Sequence, residues 1–249
     1  MDLNQLEELL EWSSHFLLME LLFLTILFWL NRRFVQYDSV RALYVCYSAS
    51  FFLAFLDWLF IVYFFTDNFP YLESHLIPII RKLDITSLTF ISPFSYLVKF
   101  ICIGFFFRAV IADARWKKIF KYVIVALVIF EIVQVIFFHT YRMYDSLSST
   151  LKNIFLILGT SLFLFRFYNN DKISTRLQKN PYFWISLSLL LPALADIFLE
   201  FIFQKLHQTD TMGFYKLYIV RNTSQAIGLL LMIVAVRYFK NLRFLPKEY

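Results

Sequence analysis

The sequence predicts an all-α membrane protein, a bundle of seven transmembrane helices with its N-terminus outside and its C-terminus in the cytoplasm. Hydrophobic residues make up 60% of the 249-residue chain and the mean hydropathy is +0.63, whereas soluble domains are roughly 45–50% apolar. A helix needs about 20 mainly apolar residues to cross a bilayer, and seven such stretches use nearly the whole chain. We therefore expect residues 1–249 to form a single seven-helix transmembrane domain.

Short connections join the predicted spans, as is typical of an up-and-down helix bundle. The first span is expected to be retained, because MDLNQLEELLEW is acidic and lacks the basic start and cleavage site of a signal peptide. The longest connection runs from Asp67 to Thr86 and contains LIPIIRK, which we interpret as a short interfacial helix. The predicted spans cover residues 9–30, 42–65, 87–108, 118–139, 149–168, 183–206 and 214–238.

Lysine and arginine are unevenly shared between the two sides of this bundle. Alternate connections and the C-terminal tail place 16 of them on one side, and seven fall on the other. Because basic residues accumulate on the cytoplasmic side of membrane proteins, this count predicts the orientation and accounts for the net charge of +6 without a nucleic-acid partner. A composition rich in Phe, Ile, Lys and Asn suits an AT-rich bacterial genome, so we expect a multi-pass protein of the bacterial inner membrane.

The sixth span carries charge although it is apolar enough to cross a membrane. Asp196, Glu200, Gln204 and His207 have spacings that place them on one face of a helix. A charged side chain at the centre of a lipid-facing helix costs about 2.5–3.5 kcal/mol or more. This face is therefore expected to line the protein interior or a wet cavity.

Ionisable groups in other spans fall at a similar depth. At a rise of 1.5 Å per residue, Glu20, Lys99 and Asp196 lie about 15–18 Å from the outer boundary, and the remaining charged residues lie closer to it. We predict that these groups surround one outward-facing polar pocket. The predicted ligand-binding residues are Glu20, Asp57, Lys99, Glu131, Asp196, Glu200, Arg221, Asn222 and Gln225.

The predicted pocket is net acidic, because five carboxylates accompany two cations. Either some carboxylates are protonated, or a cation completes the site: a metal ion, a proton network or a small cationic ligand. The alternative is that the charged groups only fix helix packing and bind no ligand.

Cofactor and catalytic motifs are weak. All four histidines are predicted to lie on the outer side, but no His-x-x-x-His or His-Glu-x-x-His spacing supports a metal site. No retinal is expected, since the last span has no lysine near its middle. Neither a G-x-S-x-G elbow nor a Gly-rich phosphate loop occurs, so an enzyme is less favoured. Cys46 and Cys102 lie in predicted spans and are expected to be free buried thiols.

The sixth span opens with NPYFWI, starting at Asn180, after a basic connection. Together with the size and topology of the chain, this segment resembles small heptahelical membrane proteins of Bacteroidetes-type bacteria. Some of those proteins accompany sensor histidine kinases. The resemblance implies a role in signalling beside a partner protein, and it assigns no site residues.

We therefore predict a sensor or receptor-like protein. Ligand or proton binding is expected to shift the sixth helix about Pro192, while Pro93 is expected to kink the third. The connections and tail are too short for an output domain, so signalling requires a cytoplasmic or membrane partner. The alternatives are a proton-coupled or small-solute transporter, a membrane metal-dependent hydrolase and a non-catalytic assembly subunit. Seven spans do not divide into equal halves, which disfavours a transporter built from repeats.

Overall fold

All seven predicted spans are confirmed as helices. A computed structural model of the protein describes residues 3–64, 88–142, 145–169 and 177–244. That part of the chain contains seven helices long and apolar enough to cross a membrane, which indicates a multi-pass membrane protein, and it contains no β-strand. The helices are α1 (Leu3–Leu30), α2 (Asp38–Phe64), α3 (Ser92–Val110), α4 (Ala114–Phe137), α5 (Ser146–Tyr168), α6 (Pro181–Thr209) and α7 (Thr211–Arg237).

The helix boundaries differ from the predicted spans at several ends. α1 begins at Leu3 instead of residue 9, because polar residues continue the helix beyond the stretch that hydropathy detects. Pro93 lies in the first turn of α3, where its missing N–H would have no intrahelical partner. The expected kink at Pro93 is therefore wrong, and this proline begins a helix. The predicted interfacial helix at 76–82 lies outside the described residues.

Polar side chains cap the helices that build the interior of the protein. The carboxylate of Asp145 accepts hydrogen bonds from the backbone N–H groups of Leu147 and Ser148, each at 3.0 Å. Asp210 separates α6 from α7 and accepts a bond from the Gly213 N–H at 2.9 Å. Each cap satisfies N–H groups that have no partner within the helix, so the chain reverses direction over very few residues.

α1 and α7 run in the same direction. The Tyr215 hydroxyl donates to Glu7 at 3.0 Å, and the Asn222 amide donates to Ser13 at 2.8 Å. The two pairs are separated by 208 and 209 residues in sequence, and a constant separation is that of parallel helices. Parallel first and last helices are what seven alternating spans require. Which end faces the outside stays a prediction from the basic residues.

Six of the helices form a closed ring. Contacts between neighbours follow the order α1, α2, α3, α5, α6, α7 and return to α1, while α4 packs on α3 outside the ring. Large apolar side chains such as Met19, Phe137 and Phe201 are exposed on the outer surface. A lipid-facing surface has this character, because hydrocarbon tails favour apolar groups. The centre of the ring is where polar side chains can be sheltered from lipid.

The half of the ring where α1 ends is packed with aromatic rings. Phe106 contacts both Phe163 and Tyr182, with ring centroids 6.3 and 6.4 Å apart, and Phe28 contacts Phe239 at 5.7 Å. All five side chains are at most 2% exposed. Buried aromatic pairs of this kind add about 0.5–1.5 kcal/mol each beyond their area burial. Among the described residues, this aromatic layer fills the ring at the end where α1 finishes.

Asp113 joins two helices at the aromatic end of the bundle. Its carboxylate accepts a bond from the Arg115 backbone N–H at 2.8 Å, and it pairs with Arg166 of α5 at 3.2 Å. These interactions hold the pKa of Asp113 below its usual value, with the Arg115 bond as the larger cause. The charged carboxylate therefore stabilises the fold at neutral pH.

Removing this carboxylate is expected to lower the unfolding temperature of the purified protein. Asp113→Ala loses the cap and the ion pair, whereas Asp113→Asn keeps a capping oxygen and should lose less. Because the folded pKa is depressed, the difference between wild type and Asp113→Asn should shrink as pH falls below about 4, the pKa of an unperturbed aspartate. Thermal unfolding in detergent between pH 7 and pH 3 tests both statements; equal losses for the two variants would contradict them.

Candidate functional site

A cavity of about 520 Å³ occupies the centre of the ring, in the half where α1 begins. All six ring helices contribute to its wall, and its size is within the roughly 300–1,000 Å³ of small-molecule sites. Most of the wall surface is apolar, although more than half of the lining residues carry a polar or charged group. The polar lining residues are Glu11, Ser14, His15, Cys46, Tyr47, Ser50, Asp57, Trp58, Lys99, Lys152, Asn153, Ser188, Asp196, Tyr218, Asn222 and Gln225.

Asp196 of α6 lies at the inner wall of the cavity and binds two cations. Its Oδ2 accepts a bond from Lys152 Nζ of α5 at 3.4 Å, and its Oδ1 lies 3.5 Å from Arg221 Nε of α7. The side chains of Asp196 and Lys152 are each 5% exposed. One carboxylate therefore joins three helices in an environment of low dielectric, where such pairs are strong but costly to break.

A second polar layer surrounds this ion pair. The Ser149 hydroxyl donates to Glu200 Oε2 at 3.0 Å, one helical turn from Asp196. Lys152 Nζ lies 5.9 Å from the ring of Tyr96, and the Arg221 guanidinium lies 5.8 Å from the ring of Tyr218. Cations above aromatic faces gain electrostatic stabilisation, so both basic side chains are held in place from two directions.

Lys99 of α3 faces the same part of the cavity. Asp196, Cys46 and Arg221 are its electrostatic neighbours. Within the described residues, its ammonium group has no hydrogen bond and no ion pair. Lys99 and Lys152 both face the cavity near Asp196. Because Asp196 also pairs with Arg221, this one carboxylate is shared among more than one cation.

The rim of the cavity carries carboxylates, in contrast to the lysines at its inner wall. Glu11 and Asp57 line it from α1 and α2, beside His15 and Trp58. The Trp58 indole donates to His15 Nε2 at 3.1 Å, which requires the neutral histidine with its proton on Nδ1. The Asp57 carboxylate forms no hydrogen bond or ion pair with any described residue. The rim is therefore acidic, while the inner wall is rich in cations.

Gly228 lets α7 pack closely against the proline in α6. A Cβ at Gly228 would lie 2.4 Å from Cγ of Pro192 and 2.9 Å from the carbonyl oxygen of Ser188. Pro192 has no N–H to bond to that carbonyl, so the α6 hydrogen-bond ladder is interrupted here. The interruption lies one turn from Asp196, and the expected shift of the sixth helix about Pro192 stays a prediction.

The structure brings together most of the predicted site residues. Lys99, Asp196 and Arg221 are neighbours, although Arg221 was predicted to lie closer to the outer boundary than the other two. Arg221, which pairs with Asp196, and Glu200, one helical turn from Asp196, do not line the cavity. The predicted residues that line the cavity are Asp57, Lys99, Asp196, Asn222 and Gln225.

Glu20 and Glu131, the other two predicted residues, also lie outside the cavity. Glu20 is buried in α1, and neither of its carboxylate oxygens has a hydrogen-bond partner among the described residues. Glu131 is fully buried in α4, outside the ring, and its polar neighbours are Ser148 and Asp145. The side chains of Gln204 and His207, predicted on the acidic face of α6, lie outside the described part of the chain.

Sequence reasoning missed Lys152, the closest cation to Asp196. It was counted with the basic residues of the outer side, because it lies near the predicted end of its span. A signal was present: Ser149, Lys152 and Asn153 occur at helical spacing in an otherwise apolar segment. The charge of the cavity therefore differs from the predicted five carboxylates and two cations: its wall carries Glu11, Asp57 and Asp196 against Lys99 and Lys152.

The described residues contain no group of three or more His, Cys, Asp and Glu side chains that could hold a metal ion. Cys46 and Cys102 are free and buried, as predicted. In comparisons with known proteins, no protein family, no curated protein and no solved structure matches the chain.

The ion pair predicts a specific pattern of stabilities. Asp196→Asn is expected to destabilise the fold by about 3–5 kcal/mol, because it leaves buried cations without their carboxylate. Adding Lys152→Met to that variant should restore part of the loss, since one unpaired charge is removed. Asp57→Asn at the rim is the matched control, and its effect should be small. Chemical or thermal unfolding of the four proteins in the same detergent measures this; a double variant no more stable than Asp196→Asn would contradict the pairing.

Proposed function

We propose that this protein is a receptor-like sensor of the cell membrane, expected to be a bacterial inner membrane, which binds a small polar ligand in the central cavity. The observation that carries the proposal is a polar cavity that ends against an aromatic layer. A path for solute across the membrane requires access from both sides. Within the described residues, the layer around Phe106 and Tyr182 separates the cavity from the other end of the bundle. This arrangement favours a binding pocket over an open channel, and the uptake experiment below separates it from a carrier, which opens to one side at a time.

α6 is the element that connects the cavity to the opposite end. Asp196 lies at the cavity wall, Pro192 lies one turn further along, and Tyr182 lies in the first turn of the helix. The Tyr182 hydroxyl shares a hydrogen bond with Ser39 of α2 at 3.0 Å. A ligand that draws on Asp196 or its cations changes the balance of forces on α6, and the interrupted ladder at Pro192 is where the helix yields most easily.

The predicted output is a partner protein at the basic end. The connections there carry most of the lysine and arginine residues of the chain. A ligand changes a conformational equilibrium only if it binds the two states with different affinity. The Asn241 side chain donates to the Lys179 carbonyl at 2.6 Å, just before α6 begins. Movement of α6 relative to Ser39 and Asn241 would change the surface that a partner protein binds.

Ligand binding is tested with a cavity-filling variant. A panel of amino acids, short peptides, nucleosides and sugars is added to purified protein, and the unfolding temperature is measured. A ligand at 100 times its Kd stabilises by about 2.7 kcal/mol, which raises Tm by roughly 5–10 °C for a chain of this size. Ala54→Phe, which fills the cavity, should abolish the rise, while Leu158→Phe on the outer surface should retain it. An unchanged rise in Ala54→Phe would place binding elsewhere.

The transporter alternative is separated by the same compound. A compound that stabilises the protein is added to the solution outside proteoliposomes that contain the protein. Its uptake into the vesicles is measured with and without a proton gradient. The receptor proposal predicts no accumulation above that of empty vesicles. Uptake that disappears in Ala54→Phe would overturn the proposal in favour of a carrier.

A further inference from the structure

Two opposite charges in the cavity, at different depths, have no partner within the described part of the chain. Lys99 lies at the inner wall, and Asp57 lies at the rim. Neither has a hydrogen bond or ion pair among the described residues. An isolated charge in a membrane interior is costly, and two complementary charges would pair if they could reach each other. Their separation is therefore part of what the cavity can recognise.

The length of α2 gives the separation. Lys99 is an electrostatic neighbour of Cys46, and the cavity wall along α2 continues from Cys46 through Ser50 to Asp57. Asp57 is seven residues beyond Ser50 and eleven beyond Cys46, which at 1.5 Å per residue is about 10–16 Å along the helix. That distance exceeds the reach of the two side chains toward each other, but it matches an extended ligand with charged ends.

Each end of the cavity has a second group of the same sign. Lys152 supports Lys99 at the inner wall, and Glu11 supports Asp57 at the rim. Between them the wall is mainly apolar, with Leu17, Leu21 and Leu156 among its residues. Two lysines suit an anionic group such as a carboxylate, and two carboxylates suit an ammonium group. The intervening wall suits apolar side chains or methylene groups.

We propose that the ligand is a linear zwitterion with the dimensions of a short peptide, bound with its carboxylate at Lys99 and Lys152 and its amino group at Asp57 and Glu11. This inference rests on the proposed function, because it assigns a ligand class to the same cavity. An extended chain spans about 3.3–3.6 Å per residue, so three to five residues cover the distance between the charged ends. The carboxylate of the ligand would also offset the excess positive charge at the inner wall, where three cations surround Asp196.

The test uses peptides with blocked ends and the full chain in lipid nanodiscs. Calorimetry measures binding of trialanine and trileucine, and of the same peptides with N-terminal acetylation or C-terminal amidation. Each blocked end removes one charge-assisted contact, and at about 1.4 kcal/mol for every tenfold we expect affinity to fall at least tenfold for each modification. A single alanine, too short to reach both ends, should bind more weakly than the tripeptides.

Two variants assign each end of the peptide to its residue. In Lys99→Met, where Lys152 remains, amidation should reduce affinity less than in the wild type while acetylation keeps its full effect; in Asp57→Asn, where Glu11 remains, the pattern should reverse. Lys118→Met and Glu8→Gln, exposed charges outside the cavity, are the matched controls and should bind like wild type.

The outcomes distinguish the inference from the proposed function. Equal affinity for free, acetylated and amidated peptides overturns the assignment of the ends. If the peptides fail while another compound binds and Ala54→Phe abolishes that binding, the ligand class is wrong and the receptor proposal stands. If no compound binds through the cavity, the proposed function itself is overturned.

Discussion

The ion pair centred on Asp196 is the interaction on which the interior of this protein depends. A carboxylate held between Lys152 and Arg221 ties α5, α6 and α7 together at a depth where water is scarce. Each charge would be costly facing lipid, so the helices must close around the group. The closed ring follows from this requirement. The cavity has a different cause: charged side chains that are held by their own partners do not fill the centre of the ring as aromatic side chains do.

The two halves of the ring differ in how their interior is filled. Near the aromatic layer, contacting aromatic rings such as Phe106 and Phe163, both fully buried, fill the interior. In the other half, the interior is a cavity with charge at both ends, and α6 crosses the boundary with an interrupted hydrogen-bond ladder at Pro192.

Much of the fold follows from hydropathy, because a bilayer accepts almost only complete helices. Depth along each helix was also predictable, which is why Lys99 and Asp196 were expected to meet. The order of helices around the ring was not, since it depends on side-chain packing between distant segments. Glu20 and Glu131 therefore had a suitable depth but the wrong direction to reach the cavity. Lys152 was missed for the opposite reason: its depth was misjudged from the predicted end of the span.

The central claim is that the polar interior opens toward one side of the membrane only. The most direct test places a single cysteine at Ser50, in the cavity wall, in a protein lacking Cys46 and Cys102, and adds a charged thiol reagent to either face of sealed vesicles. The account predicts rapid labelling of S50C only from the side carrying the N-terminus, and no labelling of a cysteine at Ala235 in the aromatic half from either side. Labelling of S50C from both sides, or from neither, would contradict it.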